Sequence, residues 1–162
     1  MASFEFKIGE EYAVKLSRYA AKSDEIAKKA IYTGAGMVAD EIRKNIEALP
    51  EDEFRHLNTG ETFKGIPKEQ KIDILHGLGV TPIDVDRDGN HNAKIGFDGY
   101  GSMKTKKYPK GVPNALIARA TESGSSVRNK TPFVRPAIKT IKKNAINAME
   151  QVVDEETKKI MK

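Results

Sequence analysis

The pattern that most constrains the fold is an amphipathic stretch that begins near Glu10 and stops before Pro50. Its apolar residues recur mostly at every third or fourth position, the spacing that places them on one face of an α-helix. They are Tyr12, Leu16, Tyr19, Ile26, Ala30, Met37, Val38, Ile42, Ile46 and Leu49. We expect a helix over about 10–49, too long for the rest of a 162-residue chain to cover. Part of its apolar stripe should therefore contact another molecule.

Two glycines leave open whether this stretch is one helix or two helices broken near residues 33–36. Gly34 and Gly36 each cost about 1 kcal/mol relative to alanine inside a helix. We therefore expect either a bend or a close packing contact at this point.

Segments before and after this stretch predict a strand and a loop. Alternating apolar residues at positions 4, 6 and 8 have the period of a half-buried strand. The polar, turn-rich segment 50–66 predicts a loop of the Ω type.

A short helix is predicted over the segment "PKEQKIDILHGLG", which starts at Pro67. Proline suits the first helical position, and the spacing suggests that Ile72 and Leu75 face the core. Gly77 or Gly79 is expected to end the helix in a left-handed conformation.

A hairpin is predicted near residues 79–97, where "VTPIDV" and "NAKIGF" read as two strands. The pair Asp88-Gly89 between them is a strong signal for the turn. The spacing Asp84, Asp86, Asp88 also resembles the start of a calcium-binding loop, but Ile95 stands where that loop requires a bidentate glutamate. We interpret these residues as a turn.

The remaining chain predicts a long basic loop followed by two helices. Residues 98–113 carry two prolines and no periodic pattern, and loops of this length are uncommon unless they are functional or disordered. A helix is expected from Asn114, acting as its cap, to Gly124, acting as its stop. A terminal helix is expected over about 136–160. Its expected apolar side consists of Ile138, Ile141, Ala145, Met149, Val152 and Ile160.

These elements together indicate a single α+β domain over residues 1–162. Long N-terminal and C-terminal helices would pack on a small antiparallel sheet that includes the hairpin near 79–97.

Charge is distributed unevenly along the chain. Residues 1–99 hold 14 basic against 18 acidic residues, a net charge of −4, and residues 100–162 hold 14 against 5, a net charge of +9. Between Lys104 and Lys143 there are eleven basic residues and one acid. This pattern is typical either of a solubilising surface or of a patch that meets nucleic acid or an acidic protein.

No motif in the sequence indicates enzymatic chemistry. The glycines and lysine around Gly96, Gly101 and Lys104 lack the spacing of a phosphate-binding loop. The three histidines lie far apart, there is no cysteine, and no nucleophile motif is present. We expect no catalytic residue, no metal and no cofactor. The first dozen residues do not resemble a signal peptide, and no segment has the ~20 apolar residues of a membrane helix.

Two motifs near the C-terminal end are more specific. "ESGSS", which starts at Glu122, is a turn after a short helix, and "PFVRPA", which starts at Pro132, opens the last helix. With "MVADEIRKNI", "NTG" at 58–60, "KIGFDGYG" and "KKYPKGVPN", they resemble the tail-component (minor tail or tail-completion) proteins of tailed bacteriophages and prophages. The resemblance covers nearly the whole chain and departs at 50–57, where "PEDEFRHL" replaces a shorter link.

The resemblance implies a non-enzymatic structural protein of the virion, at the head–tail or tail-completion junction. It implies a closed ring of identical subunits, and six is the number of subunits that the resemblance suggests. Neighbouring head–tail connector or tail-tube proteins would be the other partners. The protein would lie in the virion and, during assembly, in the host cytoplasm. Closed rings use head-to-tail contacts, so surfaces of opposite charge on opposite sides of one subunit are expected.

Within that role, "PFVRPA" would present a rigid, basic surface. Pro132 and Pro136 restrict the backbone around Phe133 and Val134, so Phe133 packs either in the core or against a neighbouring subunit. Arg135 is expected to pair with an acid within or between subunits. The predicted interface residues are Glu122, Phe133, Val134 and Arg135.

The basic loop is predicted to be mobile and to become ordered on assembly. Its lysines are Lys104, Lys106, Lys107 and Lys110. They would contact either DNA passing through a channel or acidic residues of the next ring. A second function stays open from the residues alone: a small protein that binds nucleic acid without sequence preference through residues 104–143. Tyr100 and Tyr108 could then stack on bases.

Overall fold

Two long helices dominate the fold of the computed structural model, which describes residues 9–162. The helices of this range are α1 (Glu10–Glu47), α2 (Lys68–Gly77), α3 (Asn114–Ser123) and α4 (Val134–Met161). α1 and α4 pack antiparallel, because Asn45 of α1 bonds the carbonyl of Phe133 at the start of α4 while Lys29 bonds Glu156 near its end. None of the described helices combines the length and the apolar character that crossing a membrane requires.

Four short strands form the predicted hairpin between α2 and the basic loop. Strand β1 (Leu78–Val80) pairs antiparallel with β4 (Ile95–Phe97), and β2 (Asp84–Val85) pairs antiparallel with β3 (His91–Asn92). At the turn, Gly89 has a φ of 83°, and the Asp86 carboxylate accepts the backbone N–H groups of Asp88 and Asn90. The predicted α+β fold is confirmed, with its long terminal helices and small antiparallel sheets. The predicted strand over residues 4–8 lies outside the described residues.

α1 is one continuous helix, so the possibility of two helices is excluded. Gly34 is buried in its contact with α4, where an added Cβ would lie 2.5 Å from the Met149 sulfur. Gly36, two residues further, has nothing within 4 Å of that position. The first glycine therefore serves close packing of the two helices.

The close approach of the helices also changes which face of α4 is buried. Ala137 and Ala145 are the buried residues of α4, and the predicted core residue Ile138 is 43% exposed. Small side chains are needed where two helix backbones come close, so the larger isoleucines lie beside the contact or face away from it.

The main core lies at the C-terminal end of α1, where α2, α3 and the start of α4 converge. Its most buried apolar residues are Ile42, Ile46, Ile66, Ile74, Ile117, Phe133 and Ala137. Phe133 also contacts Phe97 of β4 edge-to-face, with ring centroids 5.9 Å apart. This cluster fixes the base of the hairpin and the start of α4 to the same end of the long helix.

Two predictions about α2 were wrong. Ile72 is 42% exposed, and Ile74 is buried in its place, because residues two positions apart on a helix point to nearly opposite sides. Gly77 is not a left-handed cap: α2 passes directly into β1 through an extended Leu78. An added Cβ at Gly77 would lie 2.5 Å from the Asp98 carbonyl oxygen, so this glycine permits close backbone contact.

Helix starts also differ from the predictions by a few residues. Pro67 precedes α2 instead of occupying its first position, and α4 begins at Val134 with Pro136 as its third residue. Asn114 does not cap α3, since its amide donates to the Asp98 carbonyl at 2.8 Å. Gly124 does end α3, with a φ of 78°.

The two glycines of α1 provide a matched test of the helix contact. Gly36→Ala should raise the free energy of unfolding by about 1 kcal/mol through helix propensity. Gly34→Ala should raise the free energy of unfolding by less than Gly36→Ala does, or should lower it, because its methyl group would displace Met149. Urea unfolding of both variants measures the difference, and equal gains would contradict close packing at Gly34.

Candidate assembly interface

The acidic side chain of Glu122 caps the N-terminus of α4 from the last turn of α3. One carboxylate oxygen accepts the backbone N–H groups of Phe133 at 2.6 Å and Val134 at 2.9 Å, and the other accepts that of Arg135 at 3.2 Å. The first N–H groups of a helix have no acceptor within the helix, and negative charge is favourable at this end of its dipole. Glu122 therefore provides, through three hydrogen bonds, the cap that α4 lacks in its own sequence.

The chain between the two helices is shaped to bring this acid back to α4. Gly124 ends α3 with positive φ and lies so close to Lys130 that an added Cβ would be 3.0 Å from the Lys130 nitrogen. The backbone N–H of Thr131 donates to the Thr121 carbonyl at 2.9 Å. Pro136 is compatible with this geometry because its missing N–H falls in the first turn of α4.

Opposing effects act on the pKa of Glu122. Its partial burial raises the pKa, while the three backbone N–H groups and the nearby Arg135 guanidinium lower it, and the result is a pKa below the ordinary value. The carboxylate is therefore ionised at neutral pH, in the form that accepts all three hydrogen bonds.

The four predicted interface residues are adjacent in the structure, but they differ in exposure. Phe133 is 1% exposed and belongs to the core, and Val134 packs partly against it. The Arg135 side chain is 64% exposed, and its Nε lies 3.3 Å from a Glu122 oxygen. The predicted pairing of Arg135 with an acid is confirmed, within one chain. The role of these residues between subunits stays a prediction, and Arg135 is the most accessible of them.

The basic loop over 98–113 has backbone hydrogen bonds at its base and exposed lysines beyond it. Gly101 donates to the Val112 carbonyl at 2.7 Å, Val112 donates to that of Met103 at 2.9 Å, and the Asp73 carboxylate accepts the Ser102 N–H. Lys104, Lys106, Lys107 and Lys110 are all exposed. Their charges can therefore meet a phosphate or a carboxylate without rearrangement of the core; the predicted mobility of the loop stays a prediction.

The N-terminal part of α1 extends beyond the packed region. No residue between 10 and 25 is buried, and the last turn of α4, with Lys159 and Ile160, lines a cleft with Arg18 and Lys22. Residues 10–17, here named the α1 prong, therefore extend past the end of α4 by about two turns, or ~12 Å. Within the prong, Tyr12 is 51%, Val14 49% and Leu16 37% exposed.

Arg128 belongs to no pattern in the sequence, yet it is among the most buried charged residues of the described chain. Arg128 is 8% exposed, and the backbone around it pairs with Phe63: Phe63 donates to the Val127 carbonyl, and Asn129 donates to that of Phe63. Because this pairing joins segments more than sixty residues apart, no local pattern could reveal it.

Comparison with known proteins adds no assignment: no family model, characterised protein or solved structure matches the chain. The resemblance to phage tail-component proteins therefore stays a prediction.

Replacing the capping acid tests its role. Glu122→Gln should lower the free energy of unfolding by about 1–2 kcal/mol, because the amide lacks the charge and one of the two accepting oxygens. Glu150→Gln, an exposed acid on α4, is the matched control and should change little.

The same variant should alter the pH dependence of stability. Since the folded-state pKa of Glu122 lies below its ordinary value of 4.5, its contribution is complete above that pH and is lost as the pH falls through the folded-state pKa. Thermal unfolding between about pH 6 and 3 should show a smaller loss of stability in Glu122→Gln than in the unmodified chain. Identical profiles would contradict the capping role.

Proposed function

We propose that this chain is a structural assembly protein of a tailed bacteriophage or prophage. In this role it acts at the head–tail or tail-completion junction, associates with itself into a ring and binds neighbouring virion proteins. The motifs "ESGSS" and "PFVRPA" support the family, and the surfaces of the folded chain support the mode of action.

The observation that carries this proposal is the α1 prong. Tyr12, Val14 and Leu16 expose a third to a half of their surfaces on a helix segment in which no described residue is buried. A helix that contributes no burial to its own fold is only marginally stable in water. Contact with another subunit would stabilise it and cover its apolar side chains, which is the behaviour required of a subunit that acts by association.

Charge supports a head-to-tail arrangement of subunits. The prong starts with the exposed acids Glu10 and Glu11, whereas the basic loop and α4 expose lysines. A head-to-tail contact between identical subunits closes into a ring when the rotation between neighbours is suitable.

A charged residue within the prong should prevent assembly without unfolding the subunit. Leu16→Asp places a carboxylate at an exposed helical position, so the monomer should lose less than about 1 kcal/mol. Native mass spectrometry of the concentrated protein should show a ring for the unmodified chain and monomers for Leu16→Asp.

The matched control is Ile72→Asp, at a similarly exposed isoleucine of α2, which should still assemble. An unmodified chain that remains monomeric at every concentration, alone and with tail proteins, would contradict the proposed function.

A contact with DNA is a second proposal, favoured by the exposed loop lysines beside Tyr100, which is 62% exposed. Replacing all four loop lysines with alanine should weaken binding to short duplex DNA and flatten its salt dependence by ~0.9 in the log–log slope per lost phosphate contact. Fluorescence anisotropy measures both, with alanines at the exposed Lys28, Lys44 and Lys68, outside residues 104–143, as the control. Tight binding at physiological salt without partners would favour the nucleic-acid-binding function over the structural one.

A further inference from the structure

Arg128 is a buried cation whose hydrogen-bond partners are neutral. One terminal nitrogen of its guanidinium donates to the Thr121 hydroxyl at 3.2 Å and the other to the Gln70 amide oxygen at 2.8 Å. Among residues 9–162, no ion pair involves Arg128. Burial of a charge is unfavourable unless an opposite charge accompanies it, so the site is chemically incomplete.

Arg128 lines an open, mostly apolar cleft of about 230 Å³. We name this cleft the Arg128 socket; its lining includes Phe54, Phe63, Gln70, Leu116, Val127 and Arg128. Three of its apolar side chains are exposed at the rim: Phe54 by 44%, Leu116 by 40% and Val127 by 51%. The nearby Arg55 is already paired with Asp52 and Glu61. A cation surrounded by apolar side chains suits a carboxylate that is itself flanked by apolar groups.

The α1 prong has this chemistry. Its first two residues, Glu10 and Glu11, are exposed acids, of which Glu11 also contacts Lys15 of the prong at 3.1 Å, and Tyr12, Val14 and Leu16 follow them as exposed apolar residues. The helix dipole also favours acidic side chains at this end of α1.

The prong and the socket lie at opposite ends of α1. Lys71 bonds the carbonyl of Leu49, just after the C-terminal end of α1, and its neighbour Gln70 lines the socket. The 38 residues of α1 span about 57 Å at a rise of ~1.5 Å per residue. The prong of one chain therefore cannot reach the socket of the same chain, and a contact between them requires two copies.

We propose that the Arg128 socket receives the α1 prong of a neighbouring copy, with Glu10 or Glu11 facing the guanidinium and Tyr12 and Leu16, which share one face of the helix, against the rim. This inference rests on the proposed self-association and specifies its two contact surfaces. Such a contact is head-to-tail, which is the arrangement that closes rings.

Cysteine cross-linking tests the contact directly, since the natural chain contains no cysteine. Leu16→Cys in the prong and Leu116→Cys at the socket rim are prepared as separate single variants, mixed, and treated with a short bis-maleimide. The cross-linked dimer should form at a yield at least roughly tenfold above that of a non-contacting pair, because bound surfaces have a high effective concentration. The matched control replaces Leu116→Cys with Ile138→Cys, at a similarly exposed position on α4.

Two further measurements test whether the contact depends on the charges of the prong and of Arg128. Glu10→Lys with Glu11→Lys in the prong variant should reduce the cross-linked yield to that of the control. Arg128→Met should also reduce the cross-linked yield to that of the control, and circular dichroism checks that this variant folds. If it does not fold, the comparison of the cysteine pair with its control pair tests the contact.

The outcomes separate this inference from the proposed function. If the unmodified protein assembles but the prong–socket pair cross-links no better than the control pair, the socket is not the contact and the function stands. If the unmodified protein never assembles, both are wrong. If cross-linking exceeds the control but survives the two lysine substitutions, the carboxylate–guanidinium contact is wrong.

Discussion

The carboxylate of Glu122 is the interaction on which the arrangement of the second half of the chain depends. α4 starts with a valine, an arginine and a proline after Phe133, and none of these side chains can cap a helix. The three N–H groups that Glu122 accepts would otherwise lie unpaired beside the core. On the opposite side of the same segment, Asn45 of α1 donates to the Phe133 carbonyl at 3.0 Å. Side chains from two different helices thus satisfy the two backbone polar groups of Phe133 while its ring enters the core.

This arrangement places the basic segment on a fixed support. Phe133 is held by its burial and Val134 by partial burial, so Arg135 leaves the core in a defined direction with its guanidinium largely exposed. The segment that the sequence predicts as an interface therefore mainly connects α3 to α4 through contacts within one chain. Only its outer side is available to a neighbour, and Glu122→Gln would disturb assembly through the fold rather than through a lost intersubunit contact.

Stability is unevenly distributed along α1. Its C-terminal half supplies Ile42 and Ile46 to the main core, and its middle packs on α4 through Gly34. No residue of 10–25 is fully buried, and local unfolding requires least free energy where burial is least. The prong can therefore unfold without disturbing the core. An association that orders the prong would lose part of its favourable free energy of binding to the conformational entropy that the prong gives up.

The sequence predicted elements that depend on local signals. The long periodic pattern predicted α1, Asp88-Gly89 predicted the hairpin turn, and Gly124 predicted the end of α3, because each depends on residues close together in the chain. Predictions failed where distant segments decide the outcome. Asn114 bonds Asp98 rather than its own helix, and Ile138 is exposed because α1 comes close to the alanines of α4.

Arg128 is the clearest case of information that a local pattern does not contain. In the sequence it is one of several basic residues in a polar loop, and it becomes special only when that loop pairs with Phe63 and carries the guanidinium next to Gln70. A methionine of similar length would fill the same space without the cost of an unpaired buried charge, and replacement of buried ionic groups by apolar ones is often stabilising. The arginine is therefore an unfavourable choice for an isolated subunit. It becomes a favourable choice if assembly supplies the missing carboxylate, because the buried charge would then favour an acidic partner over a neutral one at the same surface.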